Sequence, residues 1–138
     1  MDTINIYIKA EKVIDETKGA GIMVFEDSRK EAHFKTINLV ISETPHRAKL
    51  MIMLELLKAL KYPCNVGIYL NDIGIKTAVE SQWYLKWRDN DYKTAKGKDV
   101  KDRDLWEELS AYLDIHHVGI VDYISTFDSK LNQLIKEA

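Results

Sequence analysis

Three charged residues fall where this sequence otherwise predicts buried or sheet-edge structure, and they are the first candidates for chemistry. Lys49 lies on the apolar side of a predicted helix, beside Met53 and Leu56. Lys9 and Asp72 each stand at the carboxyl end of a predicted strand, which is where open α/β sheets usually place functional groups. Ammonium groups form ion pairs with a nearby carboxylate, or they bind an anionic ligand such as a phosphate. We therefore expect Asp72 to be the partner of both lysines.

A basic segment with tryptophans, residues 83–103, is the second candidate. It carries seven Lys and Arg against four Asp, a net charge of +3. Basic groups beside aromatic rings suit weak contact with a nucleic-acid backbone. The candidate binding residues are Trp83, Lys86, Trp87, Arg88, Lys93, Lys96, Lys98 and Lys101. A solvated polar loop, with at least two of its neighbouring tryptophans packed in the core, explains the same residues and stays open as an alternative.

Composition limits the classes of protein that fit. The chain has 138 residues, 46% hydrophobic and 30% charged, which fits a single globular domain. Its net charge of −2 excludes binding of nucleic acid by overall charge, so such binding needs a local patch. The single cysteine, Cys64, allows no internal disulfide and no cysteine-based zinc site. The longest apolar run, residues 50–54, is too short to span a membrane. We expect a cytoplasmic protein that does not bind membranes.

The first half of the chain predicts three strands, a helix and a fourth strand. Apolar runs with strand periodicity cover residues 4–10, 21–25 and 34–41, and turn-rich stretches between them indicate an antiparallel meander. Thr44 followed by Pro45 predicts an N-cap, and the helix then continues to about residue 61. Residues 65–70 predict a strand that the helix allows to be parallel to an earlier one.

The second half predicts helices and one more strand. Helices are expected over residues 78–88 and 103–113 and a strand over 115–121. Ser125, with Asp128 three residues later, predicts a cap on a final helix. The order predicts the α/β class: a five-stranded mixed sheet of three antiparallel and then parallel strands, with helices on both faces.

The quoted residues also resemble a known family. The segment SQWYLKWRDNDYKTAKGKDVKDRDLWEEL, with Trp83 and Trp87 four residues apart, resembles the basic handle of bacterial-type (type 1) ribonuclease H. We call residues 83–103 the handle. INIYIKA resembles that family's first strand, HRAKLMIML its first helix, and IYLND the strand that presents an acid. The resemblance covers nearly the whole chain and implies one ribonuclease H-like domain over residues 1–138.

The resemblance implies a chemistry that this chain's residues do not match. The family cuts the RNA strand of an RNA–DNA hybrid, and four carboxylates hold two Mg²⁺ ions for the reaction. The corresponding positions here are Lys9, Lys49, Asp72 and Asn132, so one acid of four is kept. Their formal charge is +1 instead of −4. We therefore expect no catalytic residues, no metal and no cofactor at this former site.

Two further observations concern histidines and other acids near the same edge. The family's mobile loop histidine has no counterpart in VDYISTFDSK, and the neighbours His116 and His117 should point to opposite faces of a strand. A rebuilt metal site is an open alternative, with Mg²⁺ or Mn²⁺ as its ion. Its carboxylates would come from Glu11, Glu43, Asp122 and Asp128. Capping of the last helix explains Asp128 more simply.

The leading interpretation is a pseudoenzyme. It is a catalytically inactive ribonuclease H-like domain that binds duplex nucleic acid, either RNA–DNA hybrid or double-stranded RNA, weakly and in a salt-dependent manner through the handle. One alternative is a protein-interaction or self-associating domain, in which the former active site is only structural. The other is an active, diverged ribonuclease H that cleaves the RNA strand of hybrids.

Overall fold

Five strands and five α-helices form from these patterns, and the computed structural model describes residues 2–138. The strands are β1 (Thr3–Val13), β2 (Glu16–Glu26), β3 (Ala32–Ile41), β4 (Asn65–Tyr69) and β5 (His117–Val121). The helices are α1 (Pro45–Lys58), α2 (Ile73–Glu80), α3 (Trp83–Asp89), α4 (Arg103–Ile115) and α5 (Asp128–Glu137), with a 3₁₀ turn at Ser125–Phe127.

The strands form one mixed sheet in the order β3-β2-β1-β4-β5. β1 pairs antiparallel with β2, and β2 pairs antiparallel with β3. β4 pairs parallel with both β1 and β5. Helix α1 lies between β3 and β4 in the chain and supplies the long connection that a parallel strand requires. The predicted five-stranded mixed sheet is confirmed.

Helices cover both faces of the sheet because β1 and β2 alternate their side chains between two cores. Ile6 and Ile8 of β1 pack with Ile52 of α1 on one face. Tyr7, between them, packs with Leu131 of α5 on the other face. This alternation also decides where the functional side chains of β1 point, because Lys9 lies on the Tyr7 side.

The single helix predicted over residues 78–88 is wrong, because the structure has two helices there. α2 begins earlier, at Ile73, since the Asp72 side chain caps it by accepting a hydrogen bond from the Ile75 amide at 3.0 Å. It ends at Glu80, and Gln82 adopts a left-handed backbone with φ of 57° before α3 begins. The apolar periodicity did not reveal this break, because Gln82 is not a residue type that marks left-handed turns.

Other boundaries also differ from the predictions. The β1–β2 hairpin is longer than predicted and turns at residues 14–15, because the polar residues beyond Lys9 still pair across the two strands. α1 ends at Lys58 rather than near residue 61, and β5 begins at His117 rather than 115. The predicted cap by Ser125 is wrong: Ser125 lies in the 3₁₀ turn, and α5 starts without a side-chain cap. Among residues 2–138, no helix combines the length and the apolar character needed to cross a membrane.

Candidate functional site

Lys9 lies on β1 just beyond Tyr7, where the parallel pairing of β1 with β4 ends. Its side chain points to the face covered by α5. The Lys9 Nζ donates to Asn132 Oδ1 at 2.8 Å and to Asp128 Oδ1 at 3.2 Å, both on α5. Lys9 and Asn132, two of the positions that the resemblance assigns to the family's carboxylates, are therefore in direct contact, and the contact ties the last helix to the middle of the sheet.

Lys49 approaches the same edge from the other face, because it lies in the first half of α1 with its side chain turned towards the end of β4. Its Nζ donates to the backbone carbonyl of Asn71 at 2.8 Å and lies 3.9 Å from Asp72 Oδ2. The side chain is only 14% exposed. The prediction that Lys49 points inward and needs an anionic partner therefore agrees with the geometry.

Asp72 has a structural role at the start of α2 as well as its place in the candidate site. Its Oδ1 caps α2, and its Oδ2 accepts a hydrogen bond from His46 Nδ1 at 2.7 Å. Burial favours the neutral acid, but the hydrogen bonds from His46 and the Ile75 amide and the charge of Lys49 together lower the pKa of Asp72. The expectation that Asp72 partners both lysines is wrong. It faces Lys49, whereas Lys9 pairs with Asp128 on the far side of the sheet.

The two lysines nevertheless line one pocket. It has a volume of about 190 Å³, and its walls include Lys9, Lys49, Asn71 and Tyr123. These residues come from β1, α1 and the loops that follow β4 and β5. The structure therefore brings Lys9 and Lys49 to a common opening at the carboxyl edge of the sheet, although their ion pairs lie on opposite faces.

Asp128 does not cap α5 as predicted. Its carboxylate accepts hydrogen bonds from the Tyr123 hydroxyl and from Lys9. These two donors lower the pKa of Asp128, while burial and the same bond raise the pKa of Tyr123. Of the other acids considered for a rebuilt site, Asp122 is largely exposed beside Lys76, and the side chains of Glu11 and Glu43 are exposed.

The donor set at this edge does not fit a pair of divalent cations. An ammonium group has no lone pair for a metal, and the Asn132 amide oxygen already accepts from Lys9. Within residues 2–138, one group of three potential metal ligands lies close together. It consists of Asp27, Glu31 and His33, in and after the β2–β3 turn, at the opposite end of β1 from Lys9.

The three tryptophans of the handle region differ in burial and form a row from the core to the surface. Trp106 is buried, Trp87 is half-buried against it with ring centroids 5.3 Å apart, and Trp83 is 45% exposed. Trp83 meets Trp87 edge to face at 6.3 Å. Core packing therefore explains two of the tryptophans, Trp87 and Trp106. This agrees with the alternative given by the sequence, in which at least two tryptophans pack in the core. Trp83 remains as an exposed aromatic beside basic residues.

The long polar loop of the handle is an ordered turn. Buried Tyr92 and Val100 anchor its two ends, and the Val100 amide donates to the Tyr92 carbonyl at 2.9 Å. Lys93 pairs with Asp99 across the loop at 2.5 Å, and Gly97 takes the positive φ of 79° that the tip requires. The tip thus holds the exposed Lys96 and Lys98 away from the core.

The basic residues of the handle differ in their partners. Arg88 pairs with Asp114 at 2.6 Å, so part of the predicted positive charge is neutralised locally. Four lysines are exposed and make no ion pair with any residue in the range 2–138. They are Lys86, Lys96, Lys98 and Lys101.

Sequence reasoning missed the residues that fasten the handle to α1. Arg47 donates to Asp102 Oδ1 at 3.0 Å and forms an ion pair with Asp104 at 2.6 Å, and these bonds raise the pKa of Arg47. The remaining oxygen of Asp102 lies 3.9 Å from Nε2 of His46. Helical periodicity puts Arg47 on the polar side of α1, away from the core. It could not show that the end of the handle lies there.

Comparison with known proteins leads to the same family that the sequence resembles. No protein-family model matches the chain. A ribonuclease H from Caldicellulosiruptor saccharolyticus is 41% identical over 94 residues, which is 68% of this chain and 65% of the relative. LC9-RNase H1, described as a type 1 RNase H with the type 2 active-site motif, superposes with a TM-score of 0.78 at 12% identity, covering 99% of this chain and 72% of that one.

A foamy viral protease-reverse transcriptase, solved in complex with an RNA/DNA hybrid, superposes with a TM-score of 0.68 at 16% identity over 99% of this chain and 19% of that chain. A ribonuclease H from Nitratidesulfovibrio vulgaris is 43% identical over 75 residues. The chain spans 48% of the length of that relative and 65% of the Caldicellulosiruptor relative, less than two thirds of either. The structural matches establish the fold, and the sequence matches establish the relationship. The chain is therefore a ribonuclease H-like domain, related in sequence to the bacterial ribonucleases H.

Proposed function

We propose that this chain is a catalytically inactive ribonuclease H-like domain that binds duplex nucleic acid through its handle. One observation carries the first half of the proposal. Lys9 and Lys49 open onto one pocket at the carboxyl edge of the sheet, which is where the resemblance to ribonuclease H implies two metal ions. The two ammonium groups take the place of these ions by holding Asp128 and Asp72 on either side of the edge.

The electrostatic cost of a metal ion here is large. A divalent cation about 4 Å from one ammonium group would meet repulsion on the order of 8 kcal/mol at an effective dielectric constant near 20. A lone aspartate cannot offset this repulsion for two ions. The proposal therefore includes no metal and no other cofactor.

The handle supports the second half of the proposal. Its exposed lysines surround an ordered tip, and Trp83 offers an aromatic face beside them. A positive patch on a chain with net negative charge favours local, salt-sensitive contact with phosphates. The structural neighbour that was solved with an RNA/DNA hybrid supports a hybrid as the ligand. Double-stranded RNA has a similar A-form backbone and is the alternative duplex.

An active, diverged ribonuclease H is the second candidate function. The relatives that match this chain carry the name ribonuclease H, and this observation favours activity. Such an enzyme would need metal ligands other than the family's four positions, with Asp72 and Asp128 as the nearest acids. Cleavage of a hybrid by the unmodified chain in Mg²⁺ or Mn²⁺ would decide in favour of this candidate.

The test compares the unmodified chain with the variant Lys9→Asp, Lys49→Glu and Asn132→Asp. Cleavage of a labelled RNA–DNA hybrid and calorimetric titration with Mg²⁺ or Mn²⁺ are the measurements. We expect no cleavage and no metal binding by the unmodified chain, and measurable metal binding by the variant. A variant with Lys12→Asp, Lys61→Glu and Gln133→Asp changes the same charges at exposed positions and serves as the control. Hybrid cleavage by the unmodified chain at the same rate as by the restored variant would contradict the proposal.

Retention on an immobilised hybrid duplex tests binding separately from catalysis. We expect retention at low salt that declines steeply as salt rises, because phosphate contacts release counterions. Absence of retention at low salt would remove duplex binding from the proposal and leave a domain whose former active site is only structural.

A further inference from the structure

Strand β3 is a long, open edge of the sheet. It is ten residues long, it pairs with β2 on one side, and no strand within residues 2–138 pairs with its other side. Seven of its ten residues are exposed. Alternate backbone amides and carbonyls along the outer side of such an edge are free to bond with another strand.

Most of the usual protections of an edge strand are missing from β3. It contains no proline, and its one-to-one register with β2 from Ala32 to Ile41 leaves no room for a β-bulge. Lys35 is its only Lys, Arg, Asp or Glu. Natural edge strands are commonly shortened, bent or charged to prevent pairing with other chains. β3 is long, has no bulge and is nearly free of charge.

Two large hydrophobic residues on one face of this edge expose much of their surface, although the ring of Phe34 also meets Phe127 edge to face at 6.0 Å. Phe34 is 57% exposed and Val40 is 40% exposed. Both lie on the α5 side of the sheet, as does Asn38 between them, whose amide donates to the Leu134 carbonyl of α5 at 2.9 Å. Six residues of strand separate Phe34 from Val40 by about 20 Å, so they cannot pack against each other within one chain.

We propose that β3 pairs antiparallel with β3 of a second copy of this chain, around a two-fold axis at Ile37. In this register Phe34 lies opposite Val40 of the second copy, and Val40 lies opposite its Phe34. Each exposed hydrophobic residue thereby gains one cross-strand partner, and the Phe34–Val40 pair forms twice in the dimer. The two five-stranded sheets become one continuous sheet, and the inference does not depend on the proposed function.

The other face of the sheet accepts the same register. Ile37 lies opposite itself, and the half-buried Leu39 lies opposite Lys35 of the second copy. The aliphatic part of a lysine can cover a neighbouring leucine while its ammonium group stays in water. No two like charges of β3 lie directly opposite each other in this arrangement.

Neighbouring registers lack this complementarity. An axis at Lys35 would place two ammonium groups directly opposite, which is destabilising. An axis at Thr36 would place Phe34 opposite Asn38, and an axis at Asn38 would place it opposite Ser42. The register at Ile37 is the one of these four that joins Phe34 to Val40, so the two positions are sufficient to test it.

The experiment measures self-association by sedimentation of the purified chain from low micromolar to several hundred micromolar. We expect the wild-type chain to shift from monomer towards dimer as its concentration rises. The variant Phe34→Glu, Val40→Glu places like charges opposite each other twice and should remain monomeric. The variant Phe34→Lys, Val40→Glu places opposite charges together twice and should dimerise at least ten times more tightly than the double-glutamate variant. Circular dichroism checks that both variants keep the fold.

Each outcome bears on the proposal. A wild-type chain that stays monomeric throughout the range would overturn it and would leave the edge to a different kind of partner. Equal association of wild type and the double-glutamate variant would show that the dimer interface lies elsewhere than at β3. Equal behaviour of the two charged variants would overturn the register. Hydrogen exchange of the β3 amides tests the pairing without any variant. Exchange should slow as the protein concentration rises, and an unchanged rate would contradict the pairing.

Discussion

At the scale of single residues, His116 is a side chain whose charge state the fold controls. It is 5% exposed, and its Nδ1 accepts a hydrogen bond from the Cys64 amide at 3.1 Å. Burial lowers the pKa of His116 below its ordinary value of 6.5. Below pH 6.5 the unfolded chain therefore binds this proton more readily than the folded chain. We expect the free energy of unfolding to fall as pH decreases through this range, by at most about 1.4 kcal/mol per pH unit.

Chemical denaturation at several pH values between 5 and 7.5 measures this effect. His116→Asn keeps an acceptor near the Cys64 amide but removes the titrating ring, so its stability should change less between these pH values. His117→Asn removes the exposed neighbouring histidine and should keep the wild-type pH dependence. Equal pH dependence of wild type and His116→Asn would show that burial of His116 is not the cause.

At the scale of elements, the packing of α1 on β2 depends on two glycines that let Ile52 approach the sheet. A Cβ atom at Gly19 would lie 2.8 Å from Ile52 Cδ1, and one at Gly21 would lie 2.5 Å from Ile52 Cγ2. Either Gly→Ala change should destabilise the protein by about 1 to 3 kcal/mol through overpacking. Ile52→Val removes Cδ1 but keeps Cγ2, so it should relieve the clash of Gly19→Ala and leave that of Gly21→Ala.

Denaturation of the single and double variants gives the two interaction energies. The cost of Gly19→Ala should shrink by about 1 kcal/mol in the Ile52→Val background, whereas the cost of Gly21→Ala should stay nearly unchanged. The Gly21 pair is thus the matched control for the Gly19 pair. Strict additivity for both glycines would mean that the sheet moves away from α1 instead of pressing on Ile52.

The elements also show which parts of the structure a sequence can reveal. Alternation and helical periodicity predicted the five strands of the mixed sheet and α1, because each core face is a local pattern repeated along one element. They missed the break at Gln82, which is a property of one residue's backbone. They also misassigned the partner of Lys9. Asp128 approaches it only because α5 packs on one face of the sheet, and that contact joins residues 119 positions apart.

At the scale of the whole molecule, charge is distributed unevenly. The chain has a net charge of −2 and the handle +3, so the rest of the chain carries −5. An approaching polyanion is therefore attracted at the handle and repelled elsewhere. β3 and β5 lie at opposite ends of the strand order, and Tyr84 and Leu85 of the handle line a pocket together with His117 and Val118 of β5. Duplex binding and pairing through β3 should thus be separable.

The last prediction uses this separation. Lys96→Ser with Lys98→Ser should weaken retention on a hybrid duplex, because each lost phosphate contact lowers the salt slope of log affinity by roughly 0.9. The same variant should keep the wild-type concentration dependence in sedimentation, since distant sites act additively. Lys12→Ser with Lys136→Ser removes the same charge at exposed positions outside the handle. If this control weakened retention as much, attraction by overall charge would replace the handle as the explanation, because only a localised contact can distinguish two variants of equal net charge.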